Sequence, residues 1–410
     1  MEKLLKTGNN LFLYALLIVL ILGQFSSCSK TGSSLSNSST FLKTYQTDST
    51  AGSVYLEQLP DQGFVIISSE GVGGRPVITR TDKSGNLMWQ RIIQKNCFPG
   101  YSSPNVNIWN AFNTIDAGHF IAQSNGRLTL FDTLGHVEDS IFIAPVSSSS
   151  FCKAVQQGSN FYIPSCNGGA TGSPSINTIY TLDNHLNLQK TYNFQDSIIG
   201  GKNIFFFVNN QDANGTFTIA GMKFPRKYWA WSNSTKIFAA KISPSGGKSS
   251  EIMIDTGDVR YSDNIHWSTT LADSSMLILA VRTDQATSFY TSIVIKIDKN
   301  LNLLWEKEFP ANGTQAYFRT MTVCRDGSIL LLGASGGTAV QVGQPFAIKI
   351  DENGNQQWEK TFSATGNSVL FYGKDLDNRG YGFVGYSNSF GNGIPGNRIL
   401  FIKTDANGNM

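Results

Sequence analysis

Charged side chains are scarce in this chain. Asp, Glu, Lys and Arg make up 15% of its 410 residues, against roughly 25% in an average soluble domain. The 32 basic and 29 acidic residues are mixed along the sequence and leave a formal net charge of +3. Binding to a nucleic acid requires a basic patch, and binding to an anionic membrane surface requires a run of basic residues. The sequence has neither. We therefore predict no nucleic-acid partner.

Histidine is scarce as well. The chain has four, and no two of them stand at the spacing of metal ligands. The sequence also lacks the G-x-S-x-G, H-E-x-x-H and P-loop motifs. We predict no metal ion and no cofactor, and we favour a non-catalytic role, with no catalytic residue assigned. Among the four histidines, only His266, which precedes Trp267, is kept as a candidate for ligand binding.

The apolar run of residues 11–23 is too short to cross a bilayer comfortably, since a membrane helix needs about 20 residues. It follows the basic Lys3 and Lys6 and ends in small residues before Cys28. This three-part pattern is typical of an export signal. The Ser-, Thr- and Gly-rich segment after the cysteine is too polar to bury a core, which predicts a flexible tether.

The segment that ends at Cys28 resembles the signal peptide of a bacterial lipoprotein, with Phe25 where the lipobox of that family usually has Leu. The resemblance implies a signal peptide over residues 1–27, a palmitate-bearing lipid on Cys28 and a lipidated tether over residues 28–40. It also implies a membrane anchor, in the outer membrane because no Asp follows the cysteine, with the periplasmic or surface face left open. A short uncleaved anchor is the alternative.

A phrase made of an apolar residue, a basic residue, Asp and then Gly-Asn recurs along the chain. Each copy also has a second turn upstream, so each unit contains two hairpins and four strands. This composition and a period of 50 to 60 residues are typical of β-propeller blades. We predict an all-β, seven-bladed propeller over residues 41–410, or six or eight blades if a weak middle copy is misread. The anchors of the repeat are Asp82, Asp132, Asp183, Ser243, Asp298, Asp351 and Asp405.

The two ends of the repeat region complement each other. Residues 41–45 match residues 358–362, which form an outer strand, whereas the last copy stops at its turn. We predict that the N-terminal strand completes the last blade and closes the ring, which leaves no free sheet edge. Over about 370 residues the repeat resembles bacterial propeller lipoproteins of the quinoprotein-like (PQQ-like) type. The sequence lacks the vicinal cysteine pair of quinone-dependent dehydrogenases, so the resemblance implies the architecture and not quinone binding.

Four cysteines follow Cys28, and an exported protein can form disulfides. If residues 157–160 close a hairpin, Cys152 and Cys166 fall nearly opposite each other, which makes them a candidate disulfide. Buried free thiols are the alternative. We assign no partner to Cys97 or Cys324.

An insertion at residues 222–233 lengthens the fourth interval to 60 residues and carries four aromatic and three basic side chains. Such a segment either folds onto a neighbouring blade or forms a stacking surface for sugars or aromatic ligands. We add His266 and Trp267 from another blade to this candidate site. The predicted ligand-binding residues are Phe224, Arg226, Tyr228, Trp229, Trp231, His266 and Trp267.

The sequence thus favours a lipid-anchored envelope propeller that binds a ligand or acts as a scaffold, with a glycan or an envelope protein as the candidate partner. Two alternatives stay open. One is a secreted hydrolase or lyase that attacks polysaccharides with acidic residues on the loop face. The other is a subunit of an envelope protein assembly.

Overall fold

All regular structure in the described part of the chain is β-strand. The computed structural model describes residues 40–46, 51–70, 75–93, 108–113, 119–124, 127–143, 149–151, 155–167, 176–195, 203–224, 236–254, 261–284, 290–309, 316–336, 343–363, 367–377, 380–388 and 398–410. Within these ranges we find no helix long and apolar enough to cross a membrane. The predicted signal peptide and tether lie outside them.

There are 29 strands in the described ranges. In chain order they are β1 (Phe41–Tyr45), β2 (Ala51–Gln58), β3 (Phe64–Glu70), β4 (Arg75–Thr81), β5 (Leu87–Ile92), β6 (Ile108–Asn113), β7 (His119–Ser124), β8 (Arg127–Asp132), β9 (Val137–Phe142), β10 (Ser149–Phe151), β11 (Val155–Gln157), β12 (Asn160–Asn167), β13 (Ile176–Leu182), β14 (Leu188–Gln195), β15 (Asn203–Gln211), β16 (Phe217–Phe224), β17 (Lys236–Ile242), β18 (Lys248–Ile254), β19 (Tyr261–Thr270), β20 (Met276–Asp284), β21 (Tyr290–Ile297), β22 (Leu303–Phe309), β23 (Ala316–Val323), β24 (Ile329–Ser335), β25 (Gln344–Ile350), β26 (Gln356–Thr361), β27 (Ser368–Asp375), β28 (Tyr381–Ser387) and β29 (Arg398–Thr404).

These strands form seven antiparallel sheets, which are the blades of a β-propeller. Blades 1, 2, 4, 5 and 6 each consist of four consecutive strands, beginning with β2, β6, β15, β19 and β23. In blade 3 the innermost position is shared by two short strands, β10 and β11, which both pair with β12. The predicted fold class and the count of seven blades are confirmed.

Blade 7 is assembled from both ends of the repeat region. Its order is β27, β28, β29 and then β1 as the outermost strand. Phe41 of β1 lies opposite Lys403, as Trp358 of blade 6 lies opposite Lys349. The N-terminal strand therefore occupies the register of an ordinary fourth strand, as the sequence match predicts. Closing the ring this way protects the edge of the first and last sheets.

The second and third strands of a blade are buried on both faces. Every residue of β24 is buried, and so are the side chains that reach across the seam between blades 7 and 1. There Phe64 of blade 1 packs edge-on against Phe401 of blade 7, with ring centroids 4.9 Å apart. Burial on two faces explains the near-continuous apolar runs in these strands, where a half-exposed strand would alternate.

The anchor residue of each repeat, which is Asp in six blades and Ser243 in blade 4, organises the tight turn between the third and fourth strands. In blade 6, Asp351 Oδ1 accepts hydrogen bonds from the backbone N–H groups of Asn353 and Asn355, at 2.9 and 2.7 Å. Its Oδ2 accepts a third from the Asn355 side chain, at 2.9 Å. These bonds to the charged form hold the pKa of the Asp351 carboxyl below its usual range. The repeated Asp therefore forms an Asx-turn, in which its side chain bonds its own backbone.

The glycine of this turn packs against an aromatic ring of the preceding blade. Gly354 has a positive φ of 75°, and a Cβ built on it would lie 3.1 Å from the ring of Trp305. Gly85 meets Phe41 in the same way, at 2.6 Å. Glycine is required twice here, once by the left-handed backbone and once by the approach of the ring. The aromatic residue that follows the turn in these repeats therefore packs one blade against the next.

The basic residue of the repeat connects the tight turns of its own blade and of the next blade. Lys349 pairs with Asp326 in the first turn of its own blade, at 2.8 Å. Lys296 lies 3.9 Å from the equivalent Asp273 and also donates to the backbone carbonyl of Glu352 in the next blade, at 3.2 Å. The recurrent charge therefore stabilises the end of the ring that carries the tight turns.

We expect Gly85→Ala to lower the free energy of unfolding by about 2–4 kcal/mol, because the new methyl group meets both a left-handed backbone and the Phe41 ring. Gly327 has a φ of +80° but open space around it. Gly327→Ala should therefore lower the free energy of unfolding by about 1 kcal/mol, which is the cost of the left-handed backbone alone. Urea unfolding followed by far-UV circular dichroism measures both.

In a Phe41→Ala background, Gly85→Ala and Gly327→Ala should lower the free energy of unfolding by the same amount, because the ring that excludes the methyl group at position 85 is absent. A Gly85→Ala variant no less stable than Gly327→Ala in the otherwise natural chain would contradict this account of the seam.

Candidate functional site

Most of the candidate residues in the predicted aromatic insertion lie outside the described residues. Phe224 is the last residue of β16. Cys28, Cys152, Arg226, Tyr228, Trp229 and Trp231 are not among the residues that the structure describes, so their predicted roles stay predictions. Cys166 lies in β12, where the backbone register places Ser150 opposite it. The Cys152–Cys166 disulfide likewise stays a prediction.

His266 and Trp267 are neighbours in β19, the innermost strand of blade 5, but they have different surroundings. Trp267 packs against the hydrophobic core between blades 5 and 6. Its partly buried side chain therefore contributes to the seam, and its predicted role in ligand binding stays a prediction. His266 is the bulged residue of the strand, since the register shifts between Ile265 and Trp267.

A bulge like that at His266 occurs in the innermost strands of six blades, where the register with the second strand shifts around one residue. In blades 1, 5, 6 and 7 that residue lies five positions before the first residue of the following turn, whereas in blade 4 it is Asn209, three positions before Asp212. A β-bulge leaves its extra residue outside the ladder and redirects its side chain. The bulged residues of blades 1, 2, 5, 6 and 7 are Val54, Trp109, His266, Arg319 and Phe371.

Blades 5, 6 and 7 bring their bulged side chains together. His266 Nε2 lies 3.3 Å from the Tyr317 hydroxyl, and the two rings are perpendicular with centroids 5.1 Å apart. The Arg319 guanidinium lies 4.3 Å from the centroid of the Tyr317 ring and 5.9 Å from that of Phe371. Phe371 in turn packs against Tyr386 of β28, at 5.6 Å. We call these five residues the channel-wall cluster.

The channel-wall cluster lies toward the end of the ring opposite the tight turns. Tyr317 is the second residue of β23 and Tyr386 is the last but one of β28. The loops between blades, and between second and third strands, connect to this end, and such loops surround the usual position of propeller ligands. All five side chains are partly exposed. The cluster is therefore accessible to solvent.

Burial and a neighbouring charge keep the imidazole of the cluster neutral. Burial in the strand wall, with the Arg319 charge as the second cause, lowers the pKa of His266 to about 3. Burial also raises the pKa values of the Tyr317 and Tyr386 phenols above their usual range. The neutral imidazole and the two protonated phenols can all exchange hydrogen bonds with an uncharged polar ligand.

Arg319 is the charged member of the cluster. Its Nε is buried and donates to no described residue. Within the described ranges, no carboxylate pairs with this guanidinium or with His266. The same ranges contain no group of three or more His, Cys, Asp or Glu that could hold a metal ion. The cluster thus offers aromatic faces, neutral hydrogen-bonding groups and one cation.

A cavity of about 490 Å³ lies between blades 6 and 7 at the tight-turn end. Its charged walls are paired with each other. Arg325 bonds Asp375 and Asp377 of the next blade. Burial raises the pKa of the Cys324 thiol at this cavity to about 12, so the thiol is protonated and a poor nucleophile. We interpret this cavity as part of the blade seam.

Tyr317, Arg319, Phe371 and Tyr386 are members of the cluster that sequence reasoning missed. The bulged position is chemically different in every copy, so a search for recurrent residues passes over it. Aligning the innermost strands of the copies backwards from their first turns would have shown the variation. A position that varies between otherwise similar repeats is a candidate for a binding surface, because the residues that maintain the fold are the ones that recur.

Comparison with known proteins supports the architecture alone. No protein-family model matches the chain, and no curated protein matches it in sequence. The β-propeller domain of Cps50 (Swd1) from Myceliophteria thermophila is 10% identical, with a TM-score of 0.50 over 88% of this chain and 99% of that one.

Two bacterial proteins of unknown function give lower scores. That from Dyadobacter fermentans is 10% identical, with a TM-score of 0.48 over 88% of this chain and 97% of its own. That from Bacteroides caccae is 13% identical, with a TM-score of 0.44 over 77% and 94%. At these identities a likeness shows a propeller fold and no activity.

We expect the His266 imidazole to stay neutral from pH 8 to pH 4.5. Because its folded pKa lies below the unfolded value of about 6.5, protonation favours the unfolded chain. The contribution of this histidine to stability is complete above about pH 6.5 and falls as the pH drops toward 3. NMR of histidine-labelled protein measures the titration, with His266→Gln assigning the signal.

Arg319→Met should raise the pKa of His266, because it removes the neighbouring positive charge that opposes protonation. A His266 signal that titrates near pH 6 in the natural chain would show that the ring is solvated and would contradict this geometry.

Proposed function

We propose that this chain is a lipid-anchored propeller of the bacterial envelope that binds a glycan at the channel-wall cluster without turning it over. One observation carries the proposal. Three blades bring three aromatic rings, one neutral imidazole and one guanidinium to the same end of the channel, all partly exposed. Aromatic faces that stack on sugar rings, flanked by hydrogen-bonding groups, are the usual lining of such a site.

Binding without turnover fits the chemistry of the cluster better than hydrolysis does. Two-carboxylate hydrolysis needs a pair of acids about 5–10 Å apart across the substrate. In the described part of the chain, the hydrogen-bond and ring partners of His266 and Arg319 are the aromatic residues Tyr317 and Phe371. A neutral imidazole bonded to a tyrosine hydroxyl also lacks the carboxylate that orients a catalytic histidine.

The proposed lipid anchor is based on the sequence. Residues 1–27 would be removed as a signal peptide, Cys28 would carry the lipid, and residues 28–40 would hold the ring away from the membrane. The resemblance to quinoprotein-like propeller lipoproteins agrees with this placement. In our proposal the aromatic insertion, with Trp229 and Trp231, extends the same glycan surface.

We expect the full chain, purified in detergent, to bind at least one oligosaccharide from a panel of envelope and plant glycans, measured by isothermal titration calorimetry. Phe371→Ala and Tyr386→Ala should each weaken binding about tenfold or more, because each removes a stacking face. Leu304→Ala, at an exposed site on an outer strand (51% exposed), serves as the control and should bind as the natural chain does.

The outcomes separate the classes of function. Product formation from a bound glycan would reassign the protein to the polysaccharide-acting enzymes. If no glycan binds, the proposal fails, and a role in an envelope protein assembly becomes the leading alternative. Loss of binding in Trp229→Ala/Trp231→Ala would add the insertion to the site.

A further inference from the structure

The cations near the innermost strands differ in how they are paired. Lys374 of blade 7 bonds both carboxylate oxygens of Glu57 in blade 1, at 2.9 and 2.8 Å. Arg325 bonds two aspartates of blade 7. Arg319 has no such partner among the described residues, although it lies in the same wall. A partly buried charge without a counter-charge is costly, so an arrangement of this kind is typical of a binding site.

The guanidinium of Arg319 is held in place by its neighbours. One face stacks on the Tyr317 ring at 4.3 Å, and the bulge of β23 fixes the backbone from which the side chain extends. The buried Nε–H makes no hydrogen bond to the described residues. A guanidinium presents parallel N–H donors along its edge, a geometry that matches the two oxygens of a carboxylate.

We propose that Arg319 binds the carboxylate of an acidic sugar, with the sugar ring on the faces of Phe371 and Tyr386 and its hydroxyls bonded to His266 and Tyr317. This inference rests on the proposed glycan-binding function and names the class of glycan. One guanidinium balances the single negative charge of a uronic acid. A phosphate group, with nearly two charges, would leave one unpaired at this wall.

The neutral groups around Arg319 favour a sugar acid over a bare anion. His266 carries no charge that would add to the attraction, and its ring and the tyrosine hydroxyls can donate or accept as the sugar hydroxyls require. The ring of Phe371 lies within 5.9 Å of the guanidinium. A ligand that carries a carboxylate on a six-membered ring therefore reaches the cation and an apolar face at once.

The test compares trigalacturonate with its fully methyl-esterified form, which keeps the sugar rings and removes the charge. Both are titrated by calorimetry into the full chain in detergent. We expect the acid to bind at least tenfold more tightly than the ester. Arg319→Met should abolish that preference, and Arg319→Lys should keep part of it. Arg91→Met is the matched control, since Arg91 also stacks on an aromatic ring, that of Trp89, but lies on an outer strand.

Failure of this inference and failure of the proposed function give different results. Equal binding of acid and ester, or a preference that survives Arg319→Met, would overturn the role of Arg319 while glycan binding stands. If neither trisaccharide binds, sodium glucuronate at millimolar concentration is added while the His266 NMR signal is followed. A shift that Arg319→Met removes would support carboxylate binding and reject the longer glycan. The absence of any shift would overturn both the role of Arg319 and the proposed glycan-binding function.

Discussion

The close approach between a turn glycine and an aromatic ring of the preceding blade is the contact on which the rest of the ring depends. Gly354 on Trp305 and Gly408 on Trp358 set the spacing between consecutive blades, and Gly85 on Phe41 repeats it where the ring closes. A side chain on the glycine would push the blades apart. Because the same contact recurs in blades 1, 2, 6 and 7, a strand from the N-terminal end can serve as the last outer strand with an ordinary blade-to-blade contact.

The two ends of the propeller are built in different ways. At the tight-turn end the anchor Asp, or Ser243 in blade 4, accepts the backbone hydrogen bonds of its own turn, and basic residues such as Lys349 and Lys296 connect neighbouring turns. These contacts use side chains that recur in the repeat. At the opposite end, the innermost strands carry bulged residues of unrelated chemistry, His266, Arg319 and Phe371 among them. Because the regular end holds the ring together, the residues at the other end can differ from blade to blade, and the candidate site lies there.

The channel-wall cluster shows how bulges in repeated strands bring side chains of different blades together. A side chain in the regular ladder of an innermost strand faces a neighbouring blade and is used in packing, as Trp267 is. One extra residue redirects the side chain without breaking the blade. Because the bulge falls at the same level in blades 5, 6 and 7, three redirected side chains meet, and the ring of Tyr317 lies between two of them.

The sequence by itself determined the architecture. A repeated turn can be read along the chain because its Asp, Gly and Asn are required by local backbone geometry, and the outer-strand match of residues 41–45 predicts the closure because strand registers repeat with the turns. Only the tertiary structure decided which side chains form the candidate site. Whether Trp267 packs and His266 is redirected depends on a register shift against β20, and which bulged residues meet depends on the curvature of the ring. Those are contacts between distant segments, and no local pattern in the sequence records them.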